Sequence, residues 1–268
     1  MGLPAQREKV RAPAVAGAFY PARPGELSTE LEILLGSVPQ YRGPTPKALI
    51  APHAGYIYSG AAAAHAFATL RGRPLAAKRV VVIGPAHYVA FAGIAVPDAE
   101  AFETPLGPVP IDGEAMAMIR DVPAVRTADP PHAPEHALEV ELPFLQAVLG
   151  RFSFVPLLVG SATPDEVAQV LAPLWEEALI VVSSDLSHYL DYDAAKRRDA
   201  RTAAAIEGHD WAALGPNDAC GFLPVAGLLK HARRHGLQAQ RLALCNSGDT
   251  AGPRDRVVGY GAWAFAEA

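Results

Sequence analysis

Several short runs in this chain are apolar at every position, and they narrow the possible folds more than any other feature. Val80-Val81-Val82-Ile83 is the clearest, inside Arg79–Gly84; Lys47–Ala51, Phe154–Val159, Leu179–Ser183, Arg241–Leu244 and Val257–Phe265 resemble it. A strand with one wet face alternates apolar and polar residues. One that is apolar throughout is covered by helices on both faces, as in parallel sheets. Between these runs lie helical patterns at Ser59–Leu70, Asp112–Ile119, His136–Leu149, Pro164–Trp175, Asp193–Ile206 and Phe222–His235. Strands alternating with helices predict βαβ units. The expectation is a single α/β domain over residues 1–268, with a mostly parallel central sheet flanked by helices. Gly93–Ile111 breaks the rhythm, and its prolines and glycines among Ile94, Val96, Phe102 and Val109 predict hairpins inserted at a sheet edge.

Composition excludes several classes of function. Half of the 268 residues are hydrophobic, too many for a disordered chain, yet no apolar run approaches the ~20 residues of a membrane span. The formal net charge of -5 and the absence of a dense Lys/Arg block argue against nucleic acid or an anionic membrane as partner. The N-terminal 25 residues lack the apolar core of a signal peptide. Only two cysteines are present, Cys220 and Cys245, far apart and in no Cys-x-x-Cys motif. The expectation is a cytoplasmic protein.

The polar residues are placed with a pattern. Leu49-Ile50 runs into Ala51-Pro52-His53, and Val80–Ile83 runs into Gly84-Pro85-Ala86-His87. Leu179–Val182 runs into Ser183-Ser184-Asp185-Leu186-Ser187-His188, and Arg241–Leu244 into Cys245-Asn246-Ser247-Gly248-Asp249. Parallel strands place their carboxyl ends on one edge, which is where open α/β sheets bind ligands. Residues distant in sequence therefore converge there. Each has a plainer alternative: His53 and His87 as turn residues, Asp185 as a helix N-cap with His188 one turn on, Tyr56 and Tyr58 as packing. A second constellation, Glu135-His136-Ala137-Leu138-Glu139-Val140-Glu141, reads either as an acidic helix start or as His136 and Glu139 facing the crevice. His65, His132, His209, His231 and His235 read as surface or packing residues.

Two imidazoles with a carboxylate or thiolate suit one transition-metal ion, non-haem Fe(II) in particular, with zinc an alternative. Phosphate-loop, zincin and Gly-x-Ser-x-Gly templates are absent, and Ser184, Ser187, Cys245 and Ser247 are weak candidates for a metal-free nucleophile. The chemistry of the residues alone names no substrate.

Arg11-Ala12-Pro13-Ala14-Val15-Ala16-Gly17-Ala18-Phe19-Tyr20-Pro21, Ala51–Gly60, Gly84–His87, Glu135–Glu139, Ser183–His188, and Ser247-Gly248-Asp249 with Val257-Val258-Gly259-Tyr260 occur in the order of the Memo family, which the chain resembles along nearly its whole length. The resemblance implies a fold similar to class III extradiol dioxygenases. It also implies a metal-dependent, dioxygenase-like activity on a small anionic or catechol-like substrate, with Fe(II) the leading metal and Cu or Zn as alternatives. His53 and His87 would be metal imidazoles and His188 the acid–base residue, with Asp185, Tyr56 and His136 shaping the site. The prokaryotic branch is associated with an AMMECR-type and a radical-SAM protein, which are the implied partners. For the third ligand, alignment through Ser247-Gly248 places Thr250 at the expected position. Asp249 would restore a two-His-one-carboxylate set, and Cys245 is the alternative. A non-catalytic adaptor using the same crevice and a zinc-dependent hydrolase are the rival readings.

Overall fold

The structure is a computed structural model and describes residues 9–73 and 79–267. In chain order the strands are β1 (Val10–Arg11), β2 (Ala48–Ala51), β3 (Arg79–Pro85), β4 (Ile94–Val96), β5 (Ala101–Phe102), β6 (Val109–Pro110), β7 (Val125–Thr127), β8 (Ser153–Val159), β9 (Leu179–Ser183), β10 (His188–Leu190), β11 (Gln238–Asn246) and β12 (Val257–Ala266). The helices are α1 (Pro24–Gly36), α2 (Tyr56–Phe67), α3 (Gly113–Ile119), α4 (Asp129–His132), α5 (Leu142–Leu149), α6 (Pro164–Leu171), α7 (Tyr192–Glu207) and α8 (Phe222–Arg234).

Every run read as a strand from its apolar content is a strand. The main sheet has the order β10-β12-β2-β9-β3-β8-β4-β7, with β11 also on β12. Its centre, β2-β9-β3-β8, is parallel throughout, while β12 is antiparallel to β2, and β4 is antiparallel to β8. The sheet is thus mixed, with a parallel middle. In that middle, alternate residues feed two different cores, as a strand's period of two requires. Leu49, Val80, Val82 and Val181 pack with α1, α2 and α5, whereas Ile50, Val81, Ile83, Ile180 and Val182 pack with α6, α8 and the end of α7.

Three differences from the sequence reading bear on the site. The helix expected over His136–Leu149 begins only at Leu142, with Pro143 in its first turn and a single 3-10 turn at Glu139–Glu141 before it. His136 therefore stands on irregular chain. Gly93–Ile111 divides: β4 joins the main sheet between β8 and the edge strand β7, but the β5–β6 hairpin pairs with β1 in a small separate sheet. No helix or capping turn forms at Asp185; residues 184–187 are irregular and His188 opens the short strand β10.

Candidate metal centre

Strands β2, β3 and β9 end side by side, and β11, running in the same direction as β2, ends at the same edge. His53 follows β2 by one residue beyond Pro52, and His87 follows β3. His136 reaches the same place from the irregular segment before α5. The ring centroids lie 5.1 Å apart for His53–His87, 5.3 Å for His53–His136 and 4.8 Å for His87–His136. One nitrogen from each imidazole lies within 4.8 Å of the other two.

The His53 and His87 rings are held by hydrogen bonds that leave their other nitrogens available. His53 Nδ1 lies 2.7 Å from Ser183 Oγ, whose own proton goes to Ala137 O at 2.6 Å, so Nδ1 is the donor and Nε2 keeps its lone pair. Burial and the neighbouring His136 and His87 hold the His53 pKa well below the usual imidazole value. It is neutral, the form that binds metals. His87 Nδ1 donates to Glu135 Oε1 at 2.9 Å, and Glu135 also accepts the backbone N–H groups of His87, His136 and Ala137. His136 Nδ1 is 3.2 Å from the same carboxylate. Burial pushes the Glu135 carboxyl upward, but these hydrogen bonds outweigh it and hold the pKa below the usual carboxylate range. A carboxylate on a ligating imidazole fixes the ring and raises its basicity.

Asp185 and His188 line the same cavity as the three imidazoles. Asp185 is buried, and its Oδ1 accepts the backbone N–H of His53 at 2.8 Å. Burial raises its pKa, against the opposing influence of His188 and of that hydrogen bond.

Other expected residues lie elsewhere. Asp249 does not join the imidazoles: its carboxylate accepts from Tyr192 Oη at 2.5 Å and from the backbone N–H of Asn246 at 3.0 Å, closing a capping box on the turn that follows β11. One oxygen is taken by α7 and the other by the turn itself, and the cluster that could hold a metal consists of three histidines where two and a carboxylate were expected. Cys245 stays within β11 opposite Tyr260, its thiol pKa raised by burial to about 11. Tyr56 is buried beneath the site, with its hydroxyl donating to Val140 O at 2.8 Å; its neighbours Ile57 and Tyr58 line the cavity instead. Glu139 points away from the crevice and anchors the N-terminal segment. It accepts from Tyr20 Oη at 2.6 Å and from the N–H groups of Ala14 and Val15 at 2.7 and 3.0 Å, and it pairs with Arg11. That anchor places Phe19 4.8 Å from the His136 ring.

Cys220 is the participant that sequence reasoning missed. Its Sγ lies 3.3 Å from His53 Nε2 and accepts from the Asp185 N–H at 3.3 Å. It comes from the loop before α8, 167 residues away from His53 in the chain. The following Gly221 permits the approach: a Cβ there would stand 2.7 Å from Ser184 Cβ and 2.9 Å from Ser183 O. Burial pushes the thiol pKa up, so in the metal-free protein it is a neutral donor to His53. The available signal was the Cys-Gly step at a helix start, which carries meaning only once the loop's position is known.

The cavity measures about 570 Å³ and is walled by Phe19, Tyr58, Tyr88, Tyr189, Arg256 and Tyr260. A larger one, about 830 Å³ beside α1 and α5, has no histidine or cysteine among its lining residues. Among the described residues no helix is long and apolar enough to cross a membrane.

Fold and site together define an α/β protein with three imidazoles gathered at the carboxyl edge of the parallel middle of a mixed sheet. The model of the Memo-like protein family matches residues 11–264, and the chain belongs to that family. It is similar to MEMO1 family proteins of Aeropyrum pernix (37% identical, over 94% of this chain and 98% of the relative), Aquifex aeolicus (36%, 94% and 97%) and Methanopyrus kandleri (35%, 95% and 98%). An uncharacterised protein of Escherichia coli K12, JW3007, has a crystal structure with the same fold. The TM-score is 0.56 at 14% identity, over 82% of this chain and 99% of that one.

Proposed function

We propose that the crevice holds one transition-metal ion and that the protein is a metal-dependent oxidoreductase, related in fold to class III extradiol dioxygenases, with Fe(II) as its leading metal. The observation that carries this reading is the gathering of three imidazole nitrogens within 4.8 Å of one another, with His53 and His87 hydrogen-bonded from behind and His136 beside the Glu135 carboxylate. The donor chemistry fits: neutral imidazoles suit Fe, Cu and Zn, and a metal is the ordinary means of deprotonating a buried thiol such as Cys220. His53, His87 and His136 would hold the ion, with Cys220 beside His53 as a soft donor. A redox-active metal there would supply electron transfer between a small substrate and dioxygen.

The chain's own residues supply the rest. Asp185 fixes the backbone of His53 and closes the site from below. His188, half-buried on the cavity wall, is placed to take or return a substrate proton. Phe19 and the N-terminal segment cover the His136 side and exclude water there. A zinc-dependent hydrolase is the second reading, favoured by one observation: the third donor is an imidazole where a carboxylate was expected, and three histidines are a zinc hydrolytic set.

Elemental mass spectrometry on strictly anaerobically purified protein separates these readings. About one iron per chain, absent from the His53→Ala/His87→Ala variant, is the expected result. One zinc per chain favours the hydrolase. No stoichiometric metal after reconstitution with Fe(II), Cu and Zn overturns both, and leaves the adaptor.

A further inference from the structure

Exposed apolar side chains are not scattered evenly over this protein. Four of the seven large ones among the described residues, Ile57, Tyr58, Tyr88 and Tyr189, line the imidazole cavity. Tyr88 is 56% and Tyr189 62% exposed. Such a concentration at one mouth marks a binding surface. Tyr189 is also held at φ 62°, a left-handed conformation that a bulky residue rarely adopts. In that conformation its ring receives the Arg256 guanidinium at 4.3 Å.

Arg256 is the one arginine or lysine among the residues lining the cavity, and the one acid there, Asp185, is buried and committed to His53. Among the described residues Arg256 has no carboxylate partner and makes no side-chain hydrogen bond. Its neighbour Arg254 differs: it stacks on Tyr192 and lies within hydrogen-bond reach of Gly248 O. A guanidinium laid on an aromatic face keeps its in-plane N–H groups free, and that fork matches a carboxylate. A cavity of about 570 Å³ suits one small molecule, and a collar of aromatic rings selects a planar one.

We propose that the cavity binds a planar aromatic carboxylate, with its ring in the collar of Tyr58, Tyr88 and Tyr189 and its carboxylate forked by Arg256. This deepens the small-molecule reading above and rests on it. The opposite edge of the ring would face the imidazoles, where a metal would act. Arg256 thereby sets specificity without touching the metal ligands.

The test uses benzoate, benzamide and acetate, titrated calorimetrically into the full chain after metal has been removed with chelator. Benzoate should bind the wild type and bind Arg256→Gln at least about tenfold more weakly, the loss expected for one charge-assisted fork. Arg256→Lys should recover only part, since an ammonium lacks the fork. Benzamide should bind weakly and equally to wild type and Arg256→Gln, and acetate, which has no ring, should bind more weakly than benzoate. Melting temperatures report whether each variant is folded. The proposal is overturned if benzoate fails to bind, if its affinity is unchanged in Arg256→Gln, or if benzamide or acetate matches it. Because metal is absent from this titration, its outcome is separate from the metal reading. Arg256-dependent benzoate binding by a chain that takes up no metal contradicts the metal reading alone. A chain that binds one metal ion but whose benzoate affinity ignores Arg256 contradicts this inference alone.

Discussion

The floor and the rim of the cavity are built on opposite principles. On the floor, His53, His87 and His136 each have a neighbour behind the ring: Ser183 for His53, Glu135 for the other two. Glu135 in turn collects three backbone N–H groups. On the rim, Arg256 lies over the Tyr189 ring and Tyr88 sets its ring edge-on to His136 at 5.7 Å, and all three side chains are exposed and make no side-chain hydrogen bond among the described residues. The contrast teaches where rigidity is needed. A metal requires ligand atoms held to within a fraction of an ångström, which packed second neighbours provide. A ligand mouth can be left to adjust.

The largest effect that would break this picture lies beneath the floor. Glu139→Ala leaves Arg11 buried without its partner and strips the acceptor from Tyr20 and two backbone N–H groups. Removing one side of such a pair costs about 3–5 kcal/mol, to be read from chemical denaturation. A loss under about 1 kcal/mol would show that the N-terminal segment is not anchored there. Next comes pH. His132 is buried with Nε2 on Ala95 O, and burial depresses its pKa to about 4. The unfolded chain therefore binds the extra proton first, and stability contributed by neutral His132 is full above about pH 6.5 and lost as pH falls towards 4. Its upper bound is about 3 kcal/mol. It appears as a steeper decline between pH 6.5 and 4 in wild type than in His132→Gln.

Glu135→Gln sharpens the comparison at the floor itself. It keeps the shape but removes the charge behind His87 and His136, and metal affinity should fall about 10- to 100-fold by competition against a chromogenic chelator. The smallest effect belongs to the rim: Tyr88→Ser should leave stability within about 0.5 kcal/mol of wild type. A destabilisation of several kcal/mol would mean that the rim is as structural as the floor.

Much of this arrangement was legible in the chain because burial writes a strong pattern. Runs apolar at every position gave the strands, and parallel strands with polar residues just past their ends gave His53, His87, Asp185 and His188 a common edge. Helix α1 was legible and overlooked, with Pro24 in its first turn and Leu27, Leu31 and Leu35 one turn apart on its buried side. What could not be read were side-chain directions within loops. Asp249 and His188 follow strands in the same way, yet one folds back to cap its own turn and the other lines the crevice.

The glutamates of the segment before α5 make the same point. Glu135 orients imidazoles and Glu139 anchors the N-terminal segment. Glu141, fully buried, has no hydrogen-bond partner among the described residues, and burial holds its carboxyl well above the usual range. No spacing rule separates three acids within seven residues of one segment. Cys220 illustrates the limit most plainly, since its role depends on a loop that only the packed structure brings to His53.

In the proposed metal site the third imidazole, and not the carboxylate after β11, completes the donor set. Zinc titration of His136→Ala and Asp249→Ala beside wild type tests it most directly. His136→Ala should weaken binding at least about tenfold, while Asp249→Ala should bind one zinc per chain as wild type does. Loss of zinc in Asp249→Ala with full binding in His136→Ala would contradict it.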